Sequence, residues 1–185
     1  MMKFALILLL NLLCLKMPAF SQEIRVSTDE TTFFNLLSAY CGNTYFGKVV
    51  TPLKDNDPFK GKVLKMHIQH CSETELRIPF HVGEDKSRTW IFTKTSNGLL
   101  LKHDHRHEDG TPDEITNYGG LANTATSKSF SQSFPADSFT ANLIPAASTN
   151  EWTVVIDTTM KTMDYILKRD NKLRFQAQFK LDQNH

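Results

Sequence analysis

The stretch RTWIFTKTSNGLLLKHDHRH spans Arg88 to His107. Asn97-Gly98 separates two runs rich in aromatic and branched residues, and Asn-Gly in that setting is the strongest short-range sign of a β-hairpin. Arg88 to Thr95 reads as one strand and Leu99 to His107 as the next. With Asn97-Gly98 as a two-residue loop, Phe92 faces His103, Trp90 faces His105 and Arg88 faces His107. Alternate residues of a strand share a face. Arg88, Trp90 and Phe92 therefore lie with His103, His105 and His107 on one side. Thr89, Ile91, Lys102, Asp104 and Arg106 lie on the other, which reads as solvated. A slip of one residue would exchange the faces.

The same alternation continues outward. Tyr45 to Val50 and Leu64, Met66, Ile68 and His70 give strand patterns. So do Leu76, Ile78, Phe80 and Val82, Trp152 to Asp157, Asp164 to Arg169, and Leu173, Phe175, Ala177, Phe179 and Leu181. Pro79 inside its run predicts an edge position or a bulge, because it cannot donate to a ladder. Thr28 to Tyr40 predicts a short helix, with Phe33, Phe34, Leu36, Leu37 and Tyr40 at helical spacing. Residues 121–140 are rich in Ser and Thr and predict a long loop carrying Phe130 and Phe134 as aromatic plugs. About eight strands in hairpin succession imply an all-β fold: a single antiparallel barrel with a short N-terminal helix. A β-sandwich and a cupin-like barrel are the alternatives.

Met1-Met2-Lys3 followed by the apolar run Phe4 to Leu15 and the small residues Ala19 and Ser21 has the form of a secretory signal peptide over residues 1–21. The run is shorter than the roughly 20 apolar residues of a spanning helix. Residues 22–185 then form one domain in a secreted or periplasmic protein. Lys and Arg number 21 and Asp and Glu 20. That balance gives no basic stripe for nucleic acid. With Cys14 in the signal segment, Cys41 and Cys71 remain as an even pair in an oxidising compartment and predict a disulfide.

Imidazoles on an inner face need a hydrogen-bond partner, water, a ligand or a metal. One reading is a small-molecule pocket lined by Arg88, Trp90, Phe92, His103, His105 and His107. A second uses His103-x-His105 as a metal pair, since alternate rings on one strand lie about 6–7 Å apart at Cα. A zinc or iron site there needs a third ligand, with His81, His70, His67 and Glu108 as candidates and His81 foremost. That would make a metal-dependent enzyme. A third reading is a structural or partner-binding envelope protein. Arg77, Arg88 and Arg106 serve either as anion clamps or as salt-bridge partners of Glu84, Asp85 and Asp104. No Gly-x-Ser-x-Gly elbow, phosphate-binding loop or Cys-x-x-Cys occurs, and no catalytic residue can be assigned. Trp90, Trp152, Tyr165 and Phe175 read as packing residues.

IPFHVGEDKSRTWIFTKT (Ile78 to Thr95), GLLLKHDHRHEDGTPDEITNYGG (Gly98 to Gly120) and FPADSFT (Phe134 to Thr140) together resemble an uncharacterised family of secreted bacterial proteins. That resemblance implies export and kinship but no particular activity. At the level of fold, the helix running into Gly42-Asn43-Thr44-Tyr45-Phe46-Gly47 is similar to the start of calycin-type barrels, the lipocalins and nitrobindin-like proteins. Here Tyr45 stands in place of their Trp, with one extra residue before it.

Overall fold

The computed structural model describes residues 26–182. The expected signal peptide lies outside them. Ser27 caps helix α1 (Thr28–Ser38), and Glu30 completes a capping box by accepting from the Ser27 amide at 2.8 Å. The next elements are β1 (Thr44–Val49), β2 (Leu64–His67), β3 (Gln69–Cys71), β4 (Glu75–Val82), β5 (Asp85–Thr95), β6 (Gly98–His105) and β7 (Tyr118–Leu121). After them come β8 (Ser131–Pro135), helix α2 (Ser138–Leu143), a 3-10 turn (Pro145–Ala147), β9 (Asn150–Asp157), β10 (Thr162–Arg169) and β11 (Lys172–Lys180).

The strands form one antiparallel sheet in the order β7-β6-β5-β4-β2-β1-β11-β10-β9-β8, with β3 pairing β4 off this path. Apart from the β1–β11 pairing that joins the two ends of the chain, nearly every strand lies beside its chain neighbour. This is an up-and-down arrangement curled into a nearly closed barrel, so the predicted all-β class and short helix are both present. The seam falls between β7 and β8. Asp137 N–H donates to Gly119 O at 2.9 Å and Asn123 N–H to Ser133 O at 2.8 Å. Gly120 permits this approach, since a Cβ there would stand 1.8 Å from Pro135 O; Gly119 serves the other side of β7, where a Cβ would stand 2.0 Å from Leu101 O of β6.

Alternation sorts the side chains. β4 buries Leu76, Ile78, Phe80 and Val82 and leaves the residues between them half-buried. Pro79 is not on an edge strand. It pairs with Thr89 of β5, while on its other side the partner strand breaks between Met66↔Phe80 and Gln69↔Arg77. A residue without an N–H fits where the ladder is interrupted. The same break splits the alternating run Leu64 to His70 into β2 and β3, and a second irregularity between Gln69 and Cys71 puts His70 at φ 48° on the surface.

Helix α1 plugs one end of the barrel. Phe33, Phe34 and Leu37 are buried there, and Phe33 lies 6.3 Å from Phe92 between ring centroids. Cys41–Cys71 is disulfide-bonded and ties the chain just after α1 to β3, as predicted. The expected loop over 121–140 is a correction. It contains β8 and the start of α2, and Phe134 is fully buried whereas Phe130 is half exposed. Gln132 hid this strand from its pattern by facing inward. It is fully buried, with its amide satisfied by Ser127 Oγ and Lys128 O.

Candidate functional site

The β5–β6 hairpin forms, but its register is displaced by two residues from the expected one. Thr95 pairs with Gly98, so Ser96-Asn97 is the loop. Trp90 pairs with His103 and Arg88 with His105. Thr95 holds the turn in this shifted position: its hydroxyl donates to Gly98 O at 2.8 Å and accepts from Asn97 N–H at 3.1 Å. A two-residue shift keeps every side chain on its face. The inward pairs therefore stack in layers from the helical plug toward the far end: Phe92 with Leu101, then Trp90 with His103, then Arg88 with His105.

A cavity of about 560 Å³ opens at that far end. Trp90, His103 and Tyr165 line it with Phe80, Tyr118 and Trp152, and Arg88, His105, Arg169 and Arg174 also border it. Phe92 does not reach it: it lies one layer deeper, packed on Phe33 and Phe134. Neither does His107. β6 ends at His105, Asp113 N–H returns to His105 O at 3.0 Å, and His107 is exposed in the turn beyond. Four of the six expected pocket residues, Arg88, Trp90, His103 and His105, thus border one cavity. Trp152, Tyr165 and Phe175, read first as packing residues, border it too.

His103 is almost fully buried, with both ring nitrogens engaged. Nδ1 lies 3.1 Å from Tyr118 O and Nε2 lies 2.7 Å from the Tyr165 hydroxyl. A carbonyl can only accept, so Nδ1 carries the hydrogen and Nε2 accepts from Tyr165. Burial, reinforced by the charges of His105 and Lys102, drives the imidazole pKa down to about 3, against the opposing bond to Tyr118. The ring is neutral at ordinary pH. Its faces meet aromatic rings: Tyr118 stacks on it at 4.6 Å and Trp152 tilts at 5.0 Å. Trp90 is sandwiched between Tyr165, at 4.4 Å and 8°, and Phe80, at 4.6 Å and 21°.

His105 sits one layer nearer the mouth. Its Nε2 is 3.0 Å from the Tyr118 hydroxyl. Burial lowers its pKa, and the nearby Arg88 guanidinium lowers it further. Burial also raises the Tyr118 phenol to about 12, with Arg88 pulling the other way. The floor is thus uncharged and largely apolar toward the cavity, while Arg88, Arg169 and Arg174, with Asp57 and Asp113, also border it. Such a mix, an apolar lining with a few placed polar groups, characterises small-molecule sites.

The metal arrangement does not assemble. His81 occupies an outward position of β4, paired with Lys65, and its electrostatic neighbours are Lys65, Lys86, Asp85 and His67. Among the described residues no group of three or more His, Cys, Asp or Glu is placed to hold an ion. The donors of His103 point the same way, because Nδ1 is protonated and the Nε2 lone pair is taken by Tyr165. His70 and His67 are also outward, His70 near Glu75 and His67 bonded to the Thr44 hydroxyl at 2.8 Å. The three arginines considered as anion clamps pair locally: Arg77 with Glu75, Arg88 with Asp85 and Arg106 with Asp104.

No protein-family model matches the chain, and neither does any curated protein or solved structure.

Proposed function

We propose that this is a secreted or periplasmic binding protein that holds a small, largely apolar ligand in the open end of the barrel. The observation that carries the reading is the aromatic cavity above Trp90, His103 and Tyr165, whose polar edges are consumed by the protein itself. A floor satisfied in this way offers apolar contact without leaving unpaired polar atoms for the ligand to cover. About 560 Å³ is within the size range of sites for drug-sized molecules. The N-terminal apolar run and the Cys41–Cys71 bridge support an oxidising compartment. Among the described residues no helix is long and apolar enough to cross a membrane.

The test is a fluorescence titration of the chain from Gln22 with the neutral apolar probe N-phenylnaphthylamine, with native mass spectrometry of the purified protein alongside. The reading expects saturable enhancement of the probe with quenching of Trp90 and Trp152. A folded protein with no saturable binding and no retained small molecule would reject it.

A further inference from the structure

Arg174 occupies an irregular place in β11. Along that strand Phe175, Ala177 and Phe179 pair with Leu167, Tyr165 and Met163 and share the inward face. Strict alternation would place Leu173 inward and Arg174 outward. The register shifts instead. Leu167 pairs with Phe175 and Lys168 with Leu173, which leaves Arg174 as the extra residue of a bulge. Leu173 is consequently 50% exposed, and Arg174 borders the cavity. The strand leaves a leucine half exposed and brings a cation to the mouth. Bulges are common beside functional sites, where they re-aim a side chain.

Arg169, on the facing strand, is held differently. Its Nε donates to Asn150 Oδ1 at 2.8 Å, and Asn150 is itself buried. A neutral amide fixes the guanidinium without neutralising it. Among the described residues neither Arg169 nor Arg174 pairs with a carboxylate, whereas Arg88 has Asp85. Two carboxylates also border the cavity, and each is committed to its own turn. Asp57 accepts from Phe59 N–H and Asp113 from Ile115 N–H, both at 2.9 Å.

We infer that the ligand is an amphipathic organic acid, its apolar body among Phe80, Phe175 and Leu167 and its carboxylate on Arg169 and Arg174. The inference rests on the binding reading above and names the chemical class of its ligand. A guanidinium presents paired donors that match a carboxylate, and such charge-assisted bonds are the strong ones.

Matched pairs test it. Dodecanoate against dodecanol, and naphthoate against naphthylmethanol, displace N-phenylnaphthylamine from the wild-type chain and from Arg174→Gln. In at least one pair the acid is expected to bind about tenfold or more tighter than the alcohol, the scale of one charged hydrogen bond. That preference should shrink as salt is raised and collapse in Arg174→Gln. Equal displacement by acid and alcohol in both pairs, with the probe bound, overturns the acid inference and leaves the binding reading intact. An acid preference that survives both Arg174→Gln and Arg169→Gln/Arg174→Gln overturns the assignment to these arginines. Failure of the folded wild type to bind the probe, with no small molecule retained on it, overturns both readings.

Discussion

The Tyr165 hydroxyl donates to Nε2 of His103 at 2.7 Å, across the barrel from β10 to β6. The bond joins two halves of the sheet that are far apart in sequence, and its direction follows from the Tyr118 carbonyl, which accepts from Nδ1 and leaves Nε2 as the acceptor. Tyr165→Phe removes the donor and leaves a buried acceptor unpaired. The expected cost is about 1–3 kcal/mol in urea unfolding, with little change in the secondary-structure signal. An unchanged midpoint would mean that the bond adds no net stability.

The same histidine sets an acid limit. His103 is held neutral down to about pH 3 when folded, but it protonates near its ordinary 6.5 when unfolded. Below that value the unfolded chain binds the extra proton, so stability falls as pH drops from 6.5 toward 3. Its limiting slope is about 1.4 kcal/mol per pH unit for one group. His105 adds to the same trend. In His103→Gln the loss over this window should be shallower than in the wild type by up to one proton's slope. Chemical denaturation at stepped pH reads it.

An alkaline limit follows by the opposite sign. Burial raises the phenols of Tyr118 and Tyr165. Above about pH 10 the unfolded chain ionises them while the folded one does not, so stability falls as pH rises. A spectrophotometric tyrosine titration should show the phenols of Tyr118 and Tyr165 ionising late, together with unfolding. Titration of these two near their ordinary value in the folded protein would contradict this.

Closure at the seam should be sensitive to one methyl group. Gly120→Ala sets a Cβ against Pro135 O, and backbone cannot step aside as a flexible side chain can. A loss on the order of 2–4 kcal/mol is expected. Gly110→Ala is the comparison: an added Cβ there meets nothing within 4 Å, and only the strain of φ +85° remains.

Cys41→Ser/Cys71→Ser opens a link between residues 30 apart in sequence. The expected loss is about 3–4 kcal/mol from the freed unfolded chain. The barrel itself should survive, since α1 still buries Phe33, Phe34 and Leu37.

Much of this was legible from alternation alone. A period of two along β4, β5, β6 and β11 is enough to place Ile78, Trp90, His103 and Phe179 inside. It does so even with the hairpin register displaced by two, because faces survive an even shift. What escaped was whatever breaks the period. The Arg174 bulge reverses two residues of β11, and nothing local in Leu173-Arg174-Phe175 announces it. β8 inserts Gln132 where an apolar residue is expected. β7 is four residues long, with two glycines whose role depends on Pro135 and Leu101 far away in sequence. The partners of His103 escaped for related reasons: Tyr118 is its ladder partner on the short strand β7, and Tyr165 reaches it only across the barrel.

The central claim is that the aromatic end of the barrel is where a small molecule sits. The most direct measurement is amide chemical-shift mapping of the isotopically labelled chain during titration with N-phenylnaphthylamine. The account predicts saturable shifts concentrated at Trp90, His103, Tyr118, Trp152 and Leu167, with the plug residues Phe33 and Leu37 unmoved. Shifts confined to exposed outer residues such as Phe46, Val63 and Met160, or no saturable shifts at all, would contradict it.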